Sequence, residues 1–158
     1  GLGKKLAIDD IIEKDKIDVN QILYIGDSIT DVEPLEFAFK NNGISISFNG
    51  NEYPLKVCQI AIVSPSAIAT AVIADIYANN DKNKVLDFIN DYNSTESINE
   101  LFDGYEINSE IRERFFEVFD DDSFPIIKII DEENYDEILN ESVKMRNGIR
   151  GDDIGGLG

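Results

Sequence analysis

The run Gly26-Asp27-Ser28-Ile29-Thr30-Asp31 holds the residues best suited to chemistry. Two carboxylates, Asp27 and Asp31, separated by a tight turn can face one point. Their oxygens suit a hard divalent cation such as Mg2+, which keeps several waters and needs few protein ligands. The hydroxyls of Ser28 and Thr30 can donate to carboxylate or phosphate oxygens. Gly26 allows a sharp turn just ahead of the first carboxylate. Upstream stand Lys4 and its neighbour Lys5. An ammonium carried to the same place would neutralise a phosphate and a carboxylate together. The pattern has a plainer alternative, in which Asp27 caps a following helix and Asp31 lies exposed in its first turn. A solvated surface side chain is likewise the commonest fate of a lysine.

Positioning these groups requires particular elements. Ala7, Ile8, Ile11 and Ile12 recur at helical spacing, which predicts an amphipathic helix over residues 4–15. Ile22-Leu23-Tyr24-Ile25 is a short apolar run ending at Gly26, the form of a parallel strand buried on both faces. A helix from Val32 to about Asn41 follows, ended by Asn42-Gly43 with glycine as its C-cap. Ile44–Phe48 alternates and reads as a strand, Asn49-Gly50-Asn51 as a turn, Pro54–Val57 as a short helix, and Gln59–Val63 as a third strand. Ser64 is expected to cap a buried helix with Pro65 at its first position. Strands alternating with helices imply a parallel sheet, with Asp27 at the carboxyl end of a strand, where open α/β sheets bind ligands.

Near Ala78 the character changes. Past a polar stretch come amphipathic helices, with Val85, Phe88, Ile89 and Tyr92 on one face and Ile111, Phe115, Val118 and Phe119 on another. Ser97 and Glu100 form a candidate capping box. Pro125–Ile130 is a strand or a buried link. Asn134 is expected to cap a last helix with Tyr135, Ile138, Leu139 and Val143 on one face, and Gly148–Gly158 to be a loose tail. The expected organisation is an α/β core over 1–78 and a mainly helical acidic extension over 79–158.

Composition narrows the function classes. The chain has 158 residues, 42% of them hydrophobic, enough for a packed core. Its 32 acidic against 14 basic residues give a formal charge of -18, which repels nucleic acid and anionic membranes. No residue is histidine, which excludes His-based triads and HExxH zinc sites. Cys58 is the one cysteine and reads as a core residue. With no apolar run long enough for a membrane span and no signal peptide in view, a cytoplasmic location is expected.

The order Lys4…Leu23-Tyr24-Ile25-Gly26-Asp27-Ser28-Ile29-Thr30-Asp31…Gly43-Ile44-Ser45-Ile46-Ser47-Phe48-Asn49…Pro54-Leu55-Lys56…Ile60-Ala61-Ile62 resembles the haloacid-dehalogenase (HAD) superfamily, in its phosphoserine-phosphatase-like branch. More narrowly, the chain is similar to archaeal members described as energy-converting hydrogenase A subunit R. The resemblance covers residues 4–64. It implies the C-terminal half of a HAD-type Rossmann-like parallel sheet, with Asp27 ligating Mg2+. Asp31 would support the metal through water or hold the lysine, and Lys4, or failing it Lys5, would stabilise the phosphoryl group. The implied chemistry is attack by an aspartate on a small phosphorylated metabolite, then hydrolysis of the aspartyl-phosphate by water.

One departure bears on activity. The family's nucleophile lies in a DxDx[TV] segment ahead of the lysine, and no such segment precedes Lys4 here. Asp120-Asp121-Asp122-Ser123-Phe124 lacks Thr or Val at the fifth position and reads as an acidic helix end. The chain has no initiator Met, so a processed product or fragment is expected, inactive alone. Its unpaired sheet edge would be covered by self-association or by the missing N-terminal segment. The competing expectation is a non-catalytic binding or assembly module associated with an archaeal energy-converting hydrogenase, with the 79–158 half as partner surface; the plainer reading of that half, and the favoured one, is a packing extension that covers the sheet. A response-regulator-like receiver fits least, because its carboxylates would be arranged differently.

Overall fold

The computed structural model describes residues 1–120 and 123–156. Four strands, β1 (Leu23–Gly26), β2 (Ile44–Phe48), β3 (Ile60–Val63) and β4 (Ile126–Ile129), form one sheet in the order β1-β2-β3-β4. The first three are parallel, with Ile25 opposite Ile46 and Ile46 opposite Ile60. β4 is antiparallel to β3, with Ile127 opposite Ile62. The helices are α1 (Leu2–Asp15), α2 (Val32–Lys40), α3 (Glu52–Leu55), α4 (Ile68–Asn79), α5 (Lys82–Tyr92), α6 (Ile98–Gly104), α7 (Ser109–Val118) and α8 (Tyr135–Gly156). The class is α/β.

One core lies on the face carrying Ile44, Ile46, Ile60 and Ile62, under α4 to α7. Its aromatic centre is Phe88, Phe102 and Phe115, with Phe102 and Phe115 rings 4.8 Å apart. On the opposite face Ala61 packs with Leu55 and with Ile138 of α8. β2 is buried along Ile44–Ser47 although its sequence alternates, because helices cover both faces. Ser45 survives burial because its Oγ accepts the Gln59 N–H at 2.9 Å, satisfying both groups.

Several elements differ from expectation. Residues on both sides of Ala78 share the larger core, and β4 from the second half joins the sheet. The stretch after residue 79 is mainly helical, as expected, and the run read as a strand or a buried link is strand β4, paired with β3. β1 is an edge strand, with Ile25 39% exposed, rather than a strand buried on both faces. α4 begins at Ile68, beyond Ser64 and Pro65. Ser64 is instead drawn into the loop between strand and helix, its Oγ accepting the Ser66 N–H at 3.1 Å. Val118 is exposed, because α7 ends there and the chain turns extended at Phe119. α8 continues through Gly148 and Gly151, since extending a formed helix costs far less than starting one. Asp121 and Asp122 lie outside the described residues.

The end of α2 shows how local chemistry sets the turn. Asn42, not Gly43, takes the left-handed conformation at φ 61°, which Asn tolerates better than most residues. The Gly43 N–H donates to Ala38 O at 2.8 Å and the Asn42 N–H to Phe39 O at 3.2 Å, closing the helix as a Schellman motif. Gly43 is needed for space: a Cβ there would sit 2.4 Å from Ile22 O. Since the obstacle is backbone, Gly43→Ala is expected to cost about 2 to 3 kcal/mol through forced shifts between β1 and β2. Urea unfolding with an unchanged m-value would measure it, and a loss under 0.5 kcal/mol would contradict the stated crowding.

Candidate functional site

The site lies at the carboxyl ends of the three parallel strands, and each contributes a loop. β1 runs into the turn holding Asp27 and Asp31. β2 runs into Asn49, whose φ of 48° swings the chain back. The Asn49 amide donates Nδ2–H to Ser64 O at 2.7 Å and accepts the Ser64 N–H on Oδ1 at 2.9 Å, tying the end of β2 to the end of β3. The Asn51 N–H donates to Asp27 O at 3.4 Å, tying the β2 loop to that of β1. Both polar side-chain atoms of buried Asn49 are thus paired, and the residue works as a clasp.

Asp31 is buried beneath the turn, 3% exposed. Its Oδ2 accepts the Asp27 N–H at 2.9 Å, the Ser28 N–H at 3.1 Å and the Ser28 hydroxyl at 3.2 Å. Its Oδ1 accepts Lys4 Nζ at 2.6 Å and the Tyr24 hydroxyl at 3.0 Å. Burial alone pushes this carboxyl up. The bonds from Lys4, the Asp27 N–H, Tyr24 and the Ser28 N–H outweigh it and hold the pKa at about 2. Tyr24 moves the other way, pushed up to about 12 by burial, by its bond to Asp31 and by that residue's charge. It therefore stays a donor through the neutral range.

The alternative in which Asp31 is a solvated first-turn residue does not hold, and Asp27 caps no helix: α2 starts after Asp31 without a side-chain cap. Gly26 has another purpose than the expected sharp turn. A Cβ at Gly26 would fall 2.3 Å from Asp31 Cβ, so the missing side chain is what makes room for the carboxylate.

Lys4 reaches the site. Its Nζ also donates to Thr30 Oγ1 at 3.2 Å. Lys5 does not. It is paired with Asp9 at 2.7 Å and sits over the Phe37 ring at 4.5 Å, one helix face away. Of the two lysines, Lys4 is therefore the one placed beside Asp31.

Asp27 turns its carboxylate outward, its side chain 54% exposed, and meets Arg146 of α8. Arg146 Nη1 donates to Asp27 Oδ2 at 3.0 Å, Asp27 O at 2.9 Å and Asn49 O at 3.3 Å. One turn earlier, Ser142 Oγ donates to Gly50 O at 2.7 Å, so α8 is pinned to the same loops. Asp27 and Asp31 are thus neighbours in the fold with separate partners, and among the described residues no three acidic, histidine or cysteine side chains gather as a metal cluster. Cys58 lies apart and buried, its thiol pushed up to about 12 by burial, as suits a core residue.

Sequence reasoning missed Tyr24, Asn49 and Arg146 as site residues. A lone Tyr in an aliphatic strand was a usable signal, because its hydroxyl needs a partner. Arg146 offered none, being one cation on a long polar helix far along the chain.

A cavity of about 580 Å³ lined by Asn20, Asn42, Tyr77 and Lys82 lies near the amino ends of the strands, away from these carboxylates. Among the described residues no helix is long and apolar enough to cross a membrane.

The chain matches no protein-family profile. It matches no curated protein either. Among solved structures it is similar to gene product AF1437 from Archaeoglobus fulgidus, at 27% identity and a TM-score of 0.59. The likeness covers 96% of this chain but 39% of that protein, so the chain spans well under half the length of its structural neighbour.

Proposed function

We propose that this chain is the C-terminal, cation-binding part of a HAD-type phosphatase acting on a small phosphomonoester. The observation that carries this reading is the convergence of Lys4 on Asp31 at the end of parallel strand β1, beside the outward-facing Asp27. A lysine fixed by a buried carboxylate is a cation of defined position. Lys4 has three N–H donors and spends two on Asp31 and Thr30, leaving one for a phosphate oxygen.

The donor set fits Mg2+. Asp27 offers a solvent-facing carboxylate, and the Asp27 and Asn49 carbonyls open onto the same spot, hard oxygens that suit an ion keeping several waters. When bound, Mg2+ would neutralise charge on a phosphoryl group. Asp31, whose oxygens are both engaged, serves as the residue holding the lysine. The attacking aspartate belongs to another segment of the whole protein in this reading, and the greater length of the archaeal neighbour is consistent with that.

One observation favours a second reading. The guanidinium of Arg146 already neutralises Asp27, as suits a HAD-like module retained for binding or assembly, for instance beside an archaeal energy-converting hydrogenase. Hydrolysis of p-nitrophenyl phosphate by the full-length protein with Mg2+ separates the two. The phosphatase reading expects turnover that falls by about 100-fold or more in Asp27→Asn, at or beyond the upper end of the loss seen when a group that only orients a metal ligand is removed. No turnover on any phosphomonoester would leave the assembly module standing.

A further inference from the structure

We infer that Arg146 is a built-in competitor for the cation at Asp27, so that α8 sets how readily the site loads. This rests on the reading of Asp27 as a metal ligand and adds to it a residue that controls occupancy.

Three oxygens surround Arg146 Nη1: Asp27 Oδ2, Asp27 O and Asn49 O, at 3.0, 2.9 and 3.3 Å. One is a carboxylate oxygen and two are carbonyls, and all are hard donors of the sort Mg2+ takes. One nitrogen has two N–H bonds to share among three acceptors. The arrangement is therefore a cation position filled from within the protein rather than a set of optimal hydrogen bonds. The guanidinium is well covered, its side chain 12% exposed, while the Asp27 carboxylate it meets is 54% exposed and stays open to water.

Charge and space both make the two cations exclusive. A divalent ion that takes Asp27 Oδ2 and the carbonyls needs the volume Nη1 occupies. Two positive centres there would also repel across a few ångströms. Loading therefore requires the Arg146 side chain to swing out. Ser142 anchors α8 to Gly50 one turn earlier and Ile138 is packed on Ala61, so the helix stays docked while its later turn lets go. The site thus senses the C-terminal part of α8: whatever draws Arg146 away raises cation affinity, and whatever seats α8 lowers it.

The test is calorimetric titration of the full-length protein with MgCl2 for the wild type, Arg146→Gln, Arg146→Lys and Asp27→Asn. Asp27→Asn supplies the baseline for weak Mg2+ binding to an acidic surface. The expected result is binding at least about fivefold tighter in Arg146→Gln. Arg146→Lys, which keeps the charge, is expected to stay near the wild type and guards against loss through poor folding of the Gln variant. In the wild type, saturating Mg2+ should also speed hydrogen exchange in the amides around Met145–Arg150 while those around Ile138 stay protected. Equal or weaker binding in Arg146→Gln, with Asp27-dependent binding intact in the wild type, overturns the role given to Arg146 and leaves the metal reading in place. Absence of Asp27-dependent binding in both proteins overturns both.

Discussion

Asp31→Ala is expected to destabilise the protein by about 3 kcal/mol, in the range for stripping a buried carboxylate from its donors. The loss has a specific origin. The Asp27 and Ser28 N–H groups and the Tyr24 hydroxyl are left without their acceptor, and the turn that holds Asp27 loses its interior support. The half-exposed Lys4 contributes the smaller share, because water screens it. Asp31→Asn keeps the volume but faces donors with donors, so it should cost nearly as much.

The pH dependence fixes the sign. In the folded protein the Asp31 carboxyl is held at about 2 against an ordinary 3.8. A depressed carboxyl stabilises the fold above its unfolded pKa, and the benefit disappears as pH falls through the folded value. The gap between wild type and Asp31→Asn should therefore be full at pH 6. It should shrink by about 2 kcal/mol between pH 4 and pH 2, following the shift at roughly 1.4 kcal/mol per unit. Urea midpoints at several pH values measure it. A gap that stays constant down to pH 2 would contradict the ionised, donor-saturated Asp31.

Phe115→Ala is the second large effect, expected at about 3 to 5 kcal/mol with no change at the site. Phe115 is fully buried on α7 and packs against Phe102, Phe119 and Phe124, with ring centroids 4.8, 4.9 and 6.0 Å away. Its removal opens a void that these rings, one fixed on α6 and two in the chain beyond the end of α7, cannot close. Thermal unfolding should show a melting point lower by about 10 °C, at 2 to 4 °C per kcal/mol for a domain of this size. The Mg2+ titration should be unchanged, because the aromatic core lies under the helices and not at the strand ends. A melting point within 2 °C of the wild type would mean that the cluster is not the core it is described to be.

The residues that the sequence reported well are those governed by local periodicity. Val85, Phe88, Ile89 and Tyr92 lie on one buried face of α5 because four apolar side chains at helical spacing leave no other amphipathic arrangement. Ile44–Phe48 matched its strand to the residue. The meeting of Lys4 with Asp31 was open to the sequence only through the family resemblance, where holding the lysine was one of two roles for Asp31. The difference between Lys4 and Lys5 was not, since adjacent residues on a helix point about 100° apart and only the placement of α1 on α2 selects one. Ser64-Pro65 has the composition of a helix start. A tertiary claim on Ser64, the clasp from Asn49, overrode that local preference. Arg146 was invisible for a related reason. Its partners come from turns more than half the chain away, and no local pattern records such a meeting.

The antiparallel pairing of β3 with β4 joins strands far apart in the chain and favours a late closure of that edge. Ile60 must wait for Ile129, and α4 to α7 all lie between them in the chain. A loop that long is slow to close, and its closure entropy is repaid only when both ends meet. β1, β2 and β3, joined by short crossovers, can assemble first and present β3 as a bare margin. During synthesis that margin is a template for any stray strand until Tyr92, through its hydroxyl on Pro125 O, and Asn93, through its amide on Ile127 O, bring β4 alongside. The helices after Ala78 therefore act as the chaperone of the sheet's own edge, and lesions among them should surface as aggregation of nascent chains before they surface as any change at the Asp27 turn.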